Sequence, residues 1–156
     1  ELARRYGRQV RIIYPVHLNP QVHGPVHQVL DGLTNVDLVP PLDYLSLVQV
    51  MRRSFVVLTD SGGIQEEAPS LGKPVLVLRE VTERPEAVDA GTVKVIGTDR
   101  DRIVAETASL LDDPGEYRRM AQSVNPYGDG QASRRIVAAL LGEPVDQFDP
   151  AEARGT

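Results

Sequence analysis

The sequence contains no cysteine. That excludes disulfides, cysteine-ligated zinc and thiol catalysis, and it fits a cytoplasmic setting. No apolar run approaches the roughly 20 residues that a membrane span needs, and no secretory signal opens the chain. Basic residues are outnumbered, with 17 Lys and Arg against 22 Asp and Glu for a net charge of −5. A broad nucleic-acid surface is therefore not expected, although a local basic pocket for a phosphate remains compatible. No glycine triplet at G-x-G-x-x-G spacing follows the first apolar run, which argues against a nicotinamide-dinucleotide site. An opening methionine is also lacking. Glu1-Leu2-Ala3-Arg4-Arg5-Tyr6-Gly7 reads as the end of a helix, so the sequence is expected to begin mid-domain.

What is present suits one globular domain: 156 residues, 41% hydrophobic and 25% charged. Short β-branched runs alternate with longer helical periods. Strands are expected at residues 10–14, 36–39, 55–58, 75–78 and 93–96. Each run is continuous rather than alternating, as strands covered on both faces require. Asn19-Pro20 pairs a capping side chain with a first-turn proline. Residues 43–53 carry Leu45 and Val48 at helical spacing. Asp60 or Ser61 caps a helix expected to run to Leu71, where Gly72 suits a left-handed stop. Further helices are expected from Arg84 to near Gly91, from Thr98 or Asp99 to Leu111, over residues 114–123 and over 130–141. Strand-helix-strand alternation implies an α/β fold, a Rossmann-like parallel sheet with helices on both faces. The domain is placed at residues 1–142, and residues 143–156 are expected to be a loosely held tail.

Ligands of open parallel sheets bind at the carboxyl ends of the strands. The turn after the third expected strand reads Thr59-Asp60-Ser61-Gly62-Gly63-Ile64-Gln65-Glu66-Glu67. Gly62 and Gly63 let a ligand approach the backbone, and free first-turn amides with the Ser61 hydroxyl suit a phosphate or diphosphate. Glu67, one turn later, is placed to accept ribose hydroxyls. The same residues also fit a plain capped helix whose glycines serve tight helix–sheet packing. Arg84, in the loop after the next strand, offers a planar donor set at the same sheet edge; alternatively it pairs with Glu80 or Glu83. His17 follows the first strand, again at a carboxyl end. His23 and His27 share a helix face at i, i+4 spacing, but no third ligand of matching spacing supports a metal site. Asn125-Pro126-Tyr127-Gly128-Asp129-Gly130 is a glycine-rich loop before an apolar helix, read either as a turn and cap or as a cleft loop followed by a helix packing on another domain. Asp60-Ser61-Gly62-Gly63 echoes a serine-protease nucleophile turn, but here it opens a helix in an α/β pattern.

Together these motifs resemble the non-hydrolysing UDP-N-acetylglucosamine 2-epimerases, a bacterial GT-B-fold family. The carriers are Tyr14-Pro15-Val16-His17-Leu18-Asn19-Pro20, the block from Leu58 through Ser61-Gly62-Gly63-Ile64-Gln65-Glu66-Glu67 to Pro69, and Gly72-Lys73-Pro74-Val75-Leu76. Glu83-Arg84-Pro85-Glu86, Ala90-Gly91-Thr92 and Asn125-Pro126-Tyr127-Gly128-Asp129-Gly130 complete the set in order. The resemblance implies that Ser61, Gly62 and Gly63 hold a UDP diphosphate, Glu67 the ribose, and Arg84 the phosphates. Residues 42–47, with Leu42 and Leu47 at the ends, would line the uracil pocket. Leu47 stands where members often carry an aromatic, which puts base stacking there in question. His17 resembles a position where some members contact a second, activating substrate molecule.

The implied reaction interconverts UDP-GlcNAc and UDP-ManNAc through anti elimination and re-addition of UDP. No metal or cofactor is implied, and homodimers are typical of full-length members. The resemblance places the acid/base residues in an N-terminal domain that this chain is expected to lack, together with the first strand of its own domain. That leaves no catalytic residue here and a sheet edge open for the missing half or a partner chain. Two other readings stay open: the nucleotide-sugar half of a GT-B glycosyltransferase, and an inert UDP-sugar-binding module.

Overall fold

The computed structural model describes residues 1–149. The chain forms two compact units, the first spanning Glu1–Val50 and the second beginning at Met51.

The first unit opens with helix α1 (Leu2–Tyr6) and a single 3₁₀ turn, Gly7–Gln9. Strand β1 (Ile12–Pro15), helix α2 (Pro20–Leu30) and strand β2 (Val36–Val39) follow. β1 and β2 pair in parallel, with Ile12 opposite Val36 and Pro15 opposite Val39. The strand expected over residues 10–14 starts two residues later. Its entry is fixed by Asn35, whose side-chain amide donates to the carbonyls of Ala3 (2.9 Å), Gly7 (2.7 Å) and Val10 (3.0 Å). The Val10 backbone is thereby committed to that turn. Asn19 caps α2 as expected, its side chain accepting from Gln21 N–H at 3.0 Å with Pro20 in the first turn. Helix α3 (Tyr44–Arg53) crosses the unit boundary. Asp43 starts it, accepting from Ser46 N–H at 3.0 Å and from the Ser46 hydroxyl at 2.7 Å.

The second unit runs β3 (Val57–Thr59), α4 (Gly62–Glu67), a 3₁₀ turn (Pro69–Leu71), β4 (Val75–Val77), α5 (Pro85–Asp89) and β5 (Val93–Val95). Helices α6 (Arg100–Asp112), α7 (Pro114–Ala121) and α8 (Ala132–Leu140) complete it. β3, β4 and β5 form a parallel sheet in that order. All strand pairs are parallel as the sequence implied, but hydrogen bonding divides them into two sheets rather than one. Among the described residues β1 bonds only to β2, and β3 only to β4.

β4 lies at the middle of its sheet, and Val75, Leu76 and Val77 are fully buried. Its continuous apolar run is the mark of a strand covered on both faces. Leu76 packs with Ile96, Leu110 and Met120, so α6 and α7 contribute to the same core as β4. Burying a side chain of that size is worth about 1.5–3 kcal/mol. Phe55, expected within a strand, instead precedes β3 and stacks on Tyr117 of α7, with ring centroids 3.9 Å apart. The helix expected to reach Leu71 ends as α-helix at Glu67. Pro69 has no N–H to continue the ladder, and the chain tightens to 3₁₀ before Gly72 turns it out at φ 66°.

Residues 143–149 form neither helix nor strand. Asp146 is nonetheless held by Arg134 (3.1 Å) and Arg135 (3.3 Å). The rest of the expected tail, residues 150–156, lies outside the described residues.

Candidate functional site

Ser61 is the residue before α4, in extended conformation. Its N–H donates to the hydroxyl of Thr59 at 3.0 Å, which fixes the turn at the carboxyl end of β3. The Ser61 hydroxyl makes no capping bond to the helix, and the first-turn amides have no intrahelical acceptor.

The two glycines are not explained by crowding. Neither has a positive φ. A Cβ on Gly62 would meet nothing within 4 Å, and one on Gly63 would meet only Glu67 Oε1 at 3.9 Å and Ser61 Oγ at 4.0 Å. The reading in which they serve tight helix–sheet packing therefore does not hold. The Ser61 hydroxyl and the Glu67 carboxylate thus both border the space beside Gly63.

Arg84 precedes α5 in the loop after β4. Its Nε donates to Glu66 in a close ion pair, and Nη1 reaches the Glu83 carbonyl at 3.2 Å. The Glu66 carboxylate raises the guanidinium pKa above its ordinary value. The partner is thus neither Glu80 nor the Glu83 carboxylate: Glu80 is engaged by the Thr98 N–H and hydroxyl, both at 3.2 Å. Glu66 binds the Arg84 loop to the helix that the Ser61 turn opens.

Two side chains of this region were not singled out in the sequence. Gln65 is 1% exposed and spans the two loops. Its Nε2 donates to the Ser61 carbonyl at 3.2 Å, and its Oε1 accepts from the Thr82 hydroxyl at 2.6 Å. Tyr127 lies close enough to Glu86, Glu66 and Arg84 to feel their charges, and burial is the main cause raising its phenol pKa. Its hydroxyl is buried beside the Ala87 backbone, with no hydrogen bond of ordinary geometry among the described residues. Both residues sit inside motifs quoted from the sequence, but only their burial marks them out.

Leu42, Leu47 and His17 belong to the first unit. Leu42 and Leu47 are half-buried, while the intervening Tyr44 and Leu45 are exposed. His17 is exposed, and its Nδ1 accepts from the Asn19 N–H at 3.1 Å, leaving Nε2 to carry the proton of the neutral ring. His23 and His27 do share one helix face, with ring centroids 4.3 Å apart. His27 Nδ1 is engaged by Asp31 at 3.1 Å. Among the described residues no group of three or more His, Asp or Glu side chains is placed to hold a metal ion. Nor is any helix among them long and apolar enough to cross a membrane.

All-parallel strands joined by helices define a Rossmann-like α/β protein, and the glycine turn lies at a strand's carboxyl end, the edge where ligands of such sheets bind. The family model for UDP-N-acetylglucosamine 2-epimerase matches residues 1–141, and the chain belongs to that family. It is 60% identical over 134 residues to the UDP-N-acetylglucosamine 2-epimerase of Salmonella typhimurium, covering 86% of this chain and 36% of that protein. The crystal structure of UDP-GlcNAc 2-epimerase from Neisseria meningitidis bound to UDP-GlcNAc superposes with a TM-score of 0.84 at 50% identity. That match covers 91% of this chain and 38% of the other. The S. aureus MnaA–UDP structure gives a TM-score of 0.86 at 43% identity, over 94% and 43% of the two chains. The GT-B-type α/β fold is thus shared, and the chain spans about a third to two fifths of the length of the relatives it matches.

Proposed function

We propose that this chain is the UDP-binding portion of a non-hydrolysing UDP-GlcNAc 2-epimerase. The observation that carries the reading is that Ser61 Oγ and Glu67 Oε1 both border the space beside Gly63, on a turn whose glycines meet no internal constraint. Family membership and the UDP-GlcNAc held by the Neisseria meningitidis relative support it.

In this reading the amides of Gly62 and Gly63 and the Ser61 hydroxyl receive the diphosphate. Glu67 accepts from the ribose hydroxyls. Arg84, steadied by Glu66, adds positive charge beside the phosphates. Leu42 and Leu47 border the uracil, and His17 faces a second substrate molecule.

The overall reaction removes the C2 proton of the sugar, expels UDP in an anti elimination to a glycal, and returns UDP with protonation on the other face. The residues here act on the leaving group: preorganised donors stabilise the charge that develops on departing UDP. The residues that move the C2 proton belong to a further domain of the longer protein, and the open sheet edge is covered there by the first strand of this domain. The apolar side chains exposed along α8, among them Ile136, Val137 and Leu140, are the surface on which that domain rests. By itself the chain binds without turning over. The full enzyme works as a cytoplasmic homodimer that serves cell-envelope polysaccharide synthesis.

Calorimetric titration of Glu67→Ala with UDP tests the site. Losing a charge-assisted hydrogen bond weakens binding by about 1–3 kcal/mol; an unchanged affinity removes Glu67 from the ribose role.

A further inference from the structure

Gln65 is a polar side chain buried almost completely, and burial of an amide is tolerated only when both its ends are hydrogen-bonded. Both ends are used: one returns to the Ser61 carbonyl at the start of the same helix, and the other crosses to the loop after β4. Nε2 donates to the Ser61 carbonyl, and Oε1 accepts from the Thr82 hydroxyl. The Thr82 hydroxyl in turn accepts from the Arg84 N–H at 3.1 Å. The result is one directed chain. Arg84 N–H points to Thr82, Thr82 O–H points to Gln65, and Gln65 N–H points to Ser61.

Each direction is dictated. A hydroxyl that accepts from a backbone N–H has its single proton free for Gln65, and an amide with its oxygen on Thr82 presents its NH₂ to a carbonyl. Such chains strengthen one another in a low-dielectric setting. Ser61 and Arg84 lie on adjacent loops, after β3 and β4, with no backbone hydrogen bond between them among those described. What joins them is this chain on the inside and the Glu66–Arg84 ion pair on the outside.

We propose that Gln65 is a positioning residue that holds the Ser61 turn and the Thr82–Arg84 loop at a fixed separation, preorganising the two halves of the diphosphate site without touching the nucleotide. This rests on the reading of that site as a UDP site. A glutamate at position 65 keeps the acceptor for Thr82 but turns a carboxylate oxygen toward the Ser61 carbonyl. A leucine loses both bonds. Valine at position 82 keeps the shape but leaves Gln65 and the Arg84 N–H unpartnered, whereas serine keeps the hydroxyl.

The test is calorimetric titration of the full chain and its variants with UDP, beside ligand-detected NMR titration with uridine, which lacks the phosphates. Folding is checked by circular dichroism. Gln65→Leu and Thr82→Val are each expected to weaken UDP about tenfold, and the double variant about as much as either alone. Thr82→Ser is expected to stay within about twofold of the parent, and uridine binding to be unchanged throughout. Should Gln65→Leu fail to fold, Thr82→Val against Thr82→Ser decides the matter alone.

Folded variants that keep parental UDP affinity overturn the role of Gln65 and leave the UDP site standing. A parallel loss of uridine binding, or losses that multiply in the double variant, also overturn it, because they mark a general structural effect. A folded parent chain that binds no UDP overturns the site reading and this inference together.

Discussion

Arg84 is joined through its Nε to Glu66, the residue immediately before the glutamate whose carboxylate stands over Gly63. The guanidinium is thus anchored on α4 while part of its donor set remains for a ligand. A lysine cannot divide itself in this way: its compact ammonium serves Glu66 or a phosphate, but not both in one plane. On the proposed UDP site, Arg84→Lys is therefore expected to weaken UDP binding by about 1–2 kcal/mol despite keeping the charge. Calorimetry checks this, and parental affinity in the lysine variant contradicts it.

The Asp129–Arg135 pair makes a pH prediction. Asp129 accepts two bonds from Arg135, at 2.7 and 2.8 Å, and one from the Gln131 N–H at 3.0 Å. The Arg135 side chain holds the carboxyl far below its ordinary value of 3.8. A carboxyl depressed on folding contributes stability that is present above the unfolded pKa and is lost as pH falls through the folded one. Asp129→Asn is expected to lower Tm at pH 7, with the gap to the parent narrowing steadily below about pH 4. Melting curves across that range check the sign; a gap that widens in acid contradicts it.

Leu76 tests the core. It is fully buried at the centre of β4 against Ile96, Leu110 and Met120. Leu76→Ala is expected to cost about 2–5 kcal/mol, the transfer loss plus the cavity. Urea unfolding followed by circular dichroism measures it.

The cap of α6 is a milder case. Asp99 accepts from the Arg102 N–H at 2.8 Å. Asp99→Ala is expected to destabilise by about 1 kcal/mol, read from the same unfolding curves.

What was legible in the sequence was local chemistry. Asn19-Pro20, Asp99 and Gly72 mark helix ends because a cap, a fixed φ or a left-handed turn depends on near neighbours alone, and each stands where expected. Strand ends moved by one or two residues because pairing decides them. Asn35, well over 20 residues away in sequence, fixes where β1 begins. Pro69 splits α4 from the 3₁₀ turn, a boundary that its missing N–H made foreseeable. In the candidate site, Ser61, Gly63 and Glu67 were legible as one turn and lie together. The partner of Arg84 was not. Glu80 and Glu83 are nearer in sequence, yet Glu66 takes the guanidinium across two adjacent loops. Gln65 and Tyr127 were hidden for the same reason. A polar residue's burial depends on what the rest of the chain packs over it.

The measurement that bears most directly on the central claim is calorimetric titration of this chain with UDP beside ADP. Saturable binding of UDP, with ADP much weaker, is the result that the proposed site predicts. A demonstrably folded sample that binds neither nucleotide contradicts the assignment of Ser61, Gly62, Gly63 and Glu67 to UDP, and one that binds both alike contradicts the uracil role proposed for Leu42 and Leu47.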